Sequence, residues 1–278
     1  MPAKKPARSI STLASGPTRK YNWRPDKPDS RDHIFERLNT IPATLPASID
    51  LRSHCPPIVD QGQIGSCTGN AIAGILEYYD NTHNKSGLIV SRLFIYYQER
   101  VYEGTTYYDA GAYIRDGIKA VNQYGAPLES LWPYLSNKVT TRPSTAAYTD
   151  AAKRKVGSYQ RITTQASGIK ASLNAGFPVV IGFIVYASFE SGTWWQPSGS
   201  GKMPYPNVNT ESNLGGHCVA IVGYDDTMTG PAGTGYFIVR NSWGAGWGQS
   251  GYFYMPYSVI NNANMSGDFW SITQVTNP

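Results

Sequence analysis

The sequence predicts an α+β fold, with helices in its first half and strands in its second. Three observations carry that expectation. Apolar residues recur at helical spacing between residues 67 and 123, β-branched and aromatic runs dominate after residue 179, and 28 glycines with 20 tyrosines suit a chain rich in strands and turns. At 278 residues, with 41% apolar and 13% aromatic content, the chain is long enough for one large or two small domains with a filled core.

Taken in order, residues 1–20 are rich in Pro, Ser, Ala and Lys/Arg, the composition of a mobile tail. Residues 21–35 add aromatic anchors between prolines, so this stretch can lie extended on a surface with Trp23 and Phe35 in pockets. Residues 41–46 then lead into the body. Small residues from Gly65 to Gly69 open a helix in which Ala71, Ile72, Ile75, Leu76 and Tyr79 form one apolar face. A second helix is expected over 91–98 and a third over 113–123, stopped by Gly125. Residues 128–134, flanked and interrupted by Pro127 and Pro133, read as an irregular connector. Strands follow at 179–185, 218–222, 236–239 and 251–255, and the segment 225–235 reads as an exposed hairpin loop.

Charge and composition exclude several classes. Residues 1–32 carry eight Lys/Arg against three Asp, a net +5 that equals the charge of the whole chain, so everything after residue 32 is neutral. A nucleic-acid surface on the folded body is therefore not expected, although the arm can attract polyanions weakly. No 18-residue apolar run exists, which excludes a spanning helix on length. Met1-Pro2-Ala3-Lys4-Lys5 is not followed by an apolar stretch, so no export signal is legible; a cytoplasmic location is the default expectation, with secretion by another route left open. No Cys/His cluster has ligand spacing and no phosphate-binding glycine loop is present, so neither metal nor cofactor is expected. A monomer is expected.

The residues that carry chemistry start at Gln61-Gly62-Gln63-Ile64-Gly65-Ser66-Cys67. A side-chain amide lies six residues before a cysteine at a helix start, where unpaired N–H groups and the helix dipole favour thiolate. A lone cysteine is more often inert packing, so the reading needs partners elsewhere. A thiol nucleophile works beside an imidazole that takes its proton and returns it to the leaving group. Of four histidines, His33, His54 and His83 read as solvated loop residues. His217 differs, because Gly215 and Gly216 precede it and an apolar strand follows, leaving bare backbone beside the ring for an incoming chain. Such a histidine needs an orienting partner, and a neutral amide serves. Asn241 is placed for this, at the end of an apolar run and before Ser242-Trp243-Gly244, with Trp243 able to shield the pair from water. A glycine-rich aromatic turn explains that segment equally well on its own.

Together these three blocks resemble the papain family (C1) of cysteine peptidases. The match rests on Gln61 with Cys67, on Gly216-His217 opening a strand that ends Val222-Gly223-Tyr224, and on Asn241-Ser242-Trp243-Gly244 with Trp247-Gly248 and Gly251-Tyr252. The resemblance extends to bacterial members of the xylellain type. The resemblance implies two lobes, helical (mainly 61–135) and antiparallel β-sheet or barrel (mainly 145–260), within a peptidase domain over 46–278, with the cleft between them. Residues 1–45 would form a basic extension able to cover that cleft. It also implies Cys67 as nucleophile, His217 as general acid and base, Asn241 as orienter, and Gln61 with the Cys67 backbone N–H as oxyanion donors. Gly111, Ala112, Gly216 and Trp243 would line the peptide substrate, paired antiparallel along the 109–112 segment.

Two departures stand out. Family members carry a cysteine three residues before the nucleophile and a tryptophan directly after it; this chain has Ile64 and Thr68. The Asp109 region likewise lacks the partner cysteine, so the bracing disulfide is absent as a whole. Cys55 and Cys218 are left as either a disulfide or two thiols. The leading function is an endopeptidase acting through an acyl-enzyme thioester. A thiol acyltransferase or crosslinking enzyme uses the same residues when an amine outcompetes water, and a non-catalytic peptide-binding protein is the third reading.

Overall fold

The computed structural model describes residues 19–276. The tail expected over 1–20 lies, except for its last two residues, outside the described residues. In chain order the elements are α1 (Phe35–Leu38), β1 (Ser48–Asp50), α2 (Cys67–His83), α3 (Arg92–Glu103), α4 (Ile114–Tyr124), α5 (Thr145–Ala151), β2 (Lys155–Arg161), α6 (Gln165–Asn174), β3 (Val179–Tyr186), α7 (Ala187–Glu190), β4 (Asn213–Gly230), β5 (Gly233–Arg240), β6 (Tyr252–Pro256), α8 (Tyr257–Ile260) and β7 (Ser266–Thr276). This is the α+β order expected, with helices α2 to α5 forming one lobe and an antiparallel sheet the other.

Local chemistry explains the helix ends. The Ser91 side chain accepts from the Phe94 N–H and caps α3, whose other end turns at Gly104 in the left-handed region. The helix opened by Cys67 differs from the amphipathic reading: every residue from Cys67 to Asp80 is buried. It runs through the middle of the protein, with α3 on one side and the sheet on the other. Its two acids face inward because they cap loops, Glu77 accepting from Val90 N and Asp80 from Ser86 Oγ and Leu88 N. Burial pushes the Glu77 carboxyl up to about 7.

The sheet runs β2-β7-β3-β4-β5-β6, with β1 also paired to β4. All its pairings are antiparallel. Strand β3 lies between β4 and β7, and it aligns Phe183 with His217 and Gly182 with Cys218. The segment 225–235 is not a loop: β4 continues to Gly230 and pairs with β5 through Thr229 and Thr234, leaving only a tight turn. Thr-rich flanks satisfy their backbone groups by zipping together, which the turn-like composition concealed. Strands β2 and β7, unread in the sequence, supply one edge and the third central neighbour. Among the described residues no helix is long and apolar enough to cross a membrane. All three cysteines are free thiols, so Cys55 and Cys218 are not bridged.

Candidate active site

Cys67 is the first residue of α2 and His217 lies on β4 in the sheet; both are fully buried. Asn241 follows the last residue of β5, where its N–H donates to Gly251 O at 3.0 Å. The His217 Nε2 and Asn241 Oδ1 atoms are 2.8 Å apart. The Ser242 N–H donates to the same Oδ1 at 2.9 Å, which fixes that atom as oxygen. The imidazole must therefore carry its proton on Nε2, leaving Nδ1 as a bare acceptor. That Nδ1 is buried without a hydrogen-bond partner, so thiol and imidazole are not bonded to each other here. The Trp243 indole stacks on the His217 ring at 4.9 Å between centroids.

The Gln61 amide is held on three sides. Its backbone N–H donates to Ser242 O at 2.8 Å, its Oε1 accepts from Ser242 Oγ at 2.6 Å, and its Nε2 donates to Ile64 O at 3.0 Å. One N–H of Nε2 remains uncommitted. Ser242 thus sets which way the amide points, a role the sequence reading did not assign. Its only sequence signal was adjacency to Asn241.

The missing disulfide has a noncovalent substitute. Asp109 accepts from the Gly65 N–H with both oxygens at 3.1 Å and from Tyr96 OH at 2.6 Å, while Tyr96 OH accepts from Gly111 N at 2.9 Å. A carboxylate in the region where relatives carry the partner cysteine ties the cysteine loop to the 109–111 segment. Ile64 packs into the helical lobe with Leu93, Phe94 and Tyr96. Thr68 fills its smaller space by donating to Glu99 Oε2 at 2.6 Å, and complete burial pushes the Glu99 carboxyl up to about 8.

Residues 19–26 run through the cleft between the lobes. Trp23 N–H donates to Gly216 O at 2.8 Å and Arg24 N–H to Ala112 O at 3.3 Å. Asn22 packs on Gly65 and on Gly111, whose φ of +74° and bare α-carbon admit the Asn22 carbonyl. Tyr21 meets His217 edge-on at 6.0 Å, Arg19 lies over the Trp243 ring at 5.4 Å, and Arg19 and Lys20 pair with Asp60 and Asp109. Gly111, Ala112, Gly216 and Trp243 therefore all contact this strap, as Gly65 does. The bridges of Asn22 to Gly216 and Trp23 to Ala112 are parallel, opposite to the antiparallel direction expected of a substrate.

This cover changes the electrostatics. The helix start was expected to favour thiolate, but burial dominates and pushes the Cys67 thiol up to about 12 against the opposing backbone N–H groups. Burial likewise brings His217 down to about 4, outweighing the Asn241 hydrogen bond, and the Arg19 charge lowers it further. Under the strap both groups are neutral near pH 7.

A family model described as papain family cysteine protease matches residues 45–272. The chain belongs to this family. Papain-family relatives include an uncharacterised peptidase C1-like protein of Acanthamoeba polyphaga mimivirus, 37% identical over 94% of this chain and 89% of that protein. The crystal structure of xylellain, a cysteine protease from Xylella fastidiosa, is 38% identical, with a TM-score of 0.79 over 91% of this chain and 95% of that one. Cysteine proteinase 3 of Entamoeba histolytica is 26% identical over 80% of this chain and 67% of its own length. The papain-like protein described here is accordingly a cysteine peptidase of the xylellain type, acting on peptides or proteins.

Proposed function

We propose that the protein is an endopeptidase in which Cys67 is the nucleophile, His217 the acid and base, and Asn241 the residue that orients the imidazole. The observation that carries this reading is the 2.8 Å His217–Asn241 contact with Nδ1 left bare. The thiol proton passes to Nδ1 as Sγ attacks the scissile carbonyl, and the same proton then goes to the departing amine. Water attacks the resulting thioester, giving one proton back to His217 and releasing the acid and the free thiol. The uncommitted Gln61 N–H and the Cys67 backbone N–H would receive the charge that develops on the carbonyl oxygen.

Residues 1–45 form, in this reading, a cleft-covering extension of the peptidase domain at 46–278. The backbone bonds of Trp23 and Arg24 to Gly216 and Ala112 support it. Because the strap runs in the reverse direction, it fills the groove without presenting a peptide bond in the substrate's sense. Release of the strap would readmit water, lower the thiol and raise the imidazole toward their ordinary values, and so permit the ion pair. The direct test is Cys67→Ser and His217→Ala in the full chain, with folding followed by circular dichroism. Turnover of a peptide substrate is expected to vanish in both while the fold persists; activity retained in either removes the mechanism.

A further inference from the structure

Cys218 directly follows the candidate base, yet it turns the other way. Successive residues of β4 alternate between the faces of the sheet: His217 lies among Phe183 and Trp243, whereas Cys218, Ala220 and Val222 join the apolar cluster that holds Cys67, Ala71 and Trp23. Its partner on β3 is Gly182, which carries no side chain and has the Trp23 ring lying on it. The two thiols are near neighbours. The Cys218 backbone N–H acts on the Cys67 sulfur, and after burial a charge on Cys67 pushes the Cys218 thiol up more than any other charge does. A small cavity is walled by Asn70 and Ala71 on α2, by Cys218 and Ala220 on β4, and by Asn241. Asn70 and Ala71 lie three and four residues after Cys67 and so share its helix face. Cys218 therefore borders empty space beside the first turn of α2, where packing leaves its side chain free to rotate.

We propose that Cys218 is a resolving thiol for Cys67, and that in the opened cleft hydrogen peroxide drives the pair to a disulfide that switches the peptidase off until a thiol reductant restores it. This rests on the peptidase reading above, since the switch acts on its nucleophile. The Cys67 thiolate attacks one peroxide oxygen; the S–O bond forms, the O–O bond breaks, and the departing hydroxide takes the proton held on His217 and leaves as water. Cys67 has then lost two electrons to the peroxide and is a sulfenic acid. The Cys218 sulfur attacks Cys67 Sγ; the S–S bond forms, the S–O bond breaks, and the hydroxyl leaves with the Cys218 proton as a second water. Two thiols and one peroxide give one disulfide and two waters. Without Cys218 the sulfenic acid has no thiol beside it and runs on to sulfinic and sulfonic acids, which thiols do not reduce. The docked strap prevents the first step, because peroxide needs thiolate and burial holds Cys67 as the thiol.

The test uses the full chain carrying Cys55→Ser, which leaves just these two cysteines, and Trp23→Ala, which opens the cleft. A second chain adds Cys218→Ala. Each is treated with hydrogen peroxide, quenched with catalase, and divided for nonreducing peptide mapping and for labelling of Cys67 by a thiol-trapping epoxide before and after dithiothreitol. In the chain that keeps Cys218, the Cys67 and Cys218 peptides are expected to be linked, with labelling lost and then fully regained on reduction. With Cys218→Ala the loss should persist after reduction, and Cys67 should be recovered as sulfinic or sulfonic acid. With Trp23 intact the same linkage should form more slowly, so the result does not depend on the Trp23→Ala chain folding. Absence of a linked peptide in both chains that keep Cys218 overturns the proposal, whether or not the Cys218→Ala chain folds. Equal recovery by dithiothreitol in a folded Cys218→Ala chain also overturns it, because the reversal would then need no second thiol. Failure of the untreated Trp23→Ala chain to hydrolyse peptides or to label at Cys67 instead overturns the peptidase reading, which the mapping of linked peptides does not measure.

Discussion

Trp23→Ala in the full chain is the sharpest probe of whether the strap gates the cleft. Truncating a buried tryptophan to alanine costs about 3–5 kcal/mol in packed sites. Trp23 also buries an unpaired N–H, and relief of that penalty returns roughly 1–3 kcal/mol. Central values of about 4 and about 2 kcal/mol leave a net loss of about 2 kcal/mol in strap docking, which lowers the docking constant about 30-fold. The ion pairs of Arg19 and Lys20 hold little in compensation, since partly exposed pairs contribute about 0–1 kcal/mol each. The assay compares the rate of epoxide labelling at Cys67, and of hydrolysis of a short peptide, in the two chains. Both are expected to rise toward that factor. Equal rates in the two chains, with equal melting temperatures, would refute the gating argument. Truncation near residue 45 is a poorer test, because Phe35 is 1% exposed in the core of the sheet lobe and Glu36 accepts from the backbone and hydroxyls of Thr163 and Thr164. Cutting there would disturb the catalytic lobe as well as the strap.

Ser242→Ala should free the Gln61 amide to rotate and lower kcat about 10-fold with KM nearly constant, against the 10²–10³ loss typical of removing an oxyanion donor in Gln61→Ala; a larger effect from Ser242 than from Gln61 would contradict its role as a positioning residue. Asp109→Ala leaves the Gly65 N–H and Tyr96 OH without their acceptor, and a stability loss of about 1–3 kcal/mol is expected in urea unfolding; an unchanged midpoint would show that the loop is braced by packing alone. Two groups couple strap docking to pH in opposite senses: Asp26 weakens it as pH rises, and His217, brought down to about 4 under the strap, strengthens it. Burial, and then the Asp268 charge, push Asp26 in the docked strap up to about 7, in a nest that also contains the Trp270 N–H, Arg115, Arg161 and Asp32. A carboxyl raised on docking contributes its full stabilisation below its ordinary value near 4 and loses it as pH climbs toward 7, at up to about 1.4 kcal/mol per unit. The ratio of Cys67 labelling in the full chain to that in Trp23→Ala, which cancels the thiol's own titration, should fall with rising pH across that window in Asp26→Asn, where His217 alone titrates with docking, and fall less in the unsubstituted chain, where the two groups oppose each other.

Much of the site was legible because reactive groups need companions. Cys67 alone read as inert packing; Gln61 six residues earlier, His217 after two glycines and Asn241 before Ser242-Trp243 made one chemical proposal, and local periodicity located the helix and strands that carry them. The α+β order followed from the same periodicities. What stayed hidden depended on contacts between distant segments. The 225–235 hairpin looked like a loop because strand pairing, not propensity, decides its backbone bonds. Asp109 gave no sign of replacing a disulfide, since its partners, Gly65 and Tyr96, are neighbours only in the folded chain. Gly182 read as one more glycine in a strand until Trp23 was found lying on it. The charge state of the site was decided the same way: the sequence places Cys67 at a helix start, where the dipole favours thiolate, but the strap that crosses the cleft removes water, and desolvation outweighs the dipole. Residue identity determined which chemistry is possible, and only the tertiary structure decided whether the groups that perform it are charged, covered and free to react.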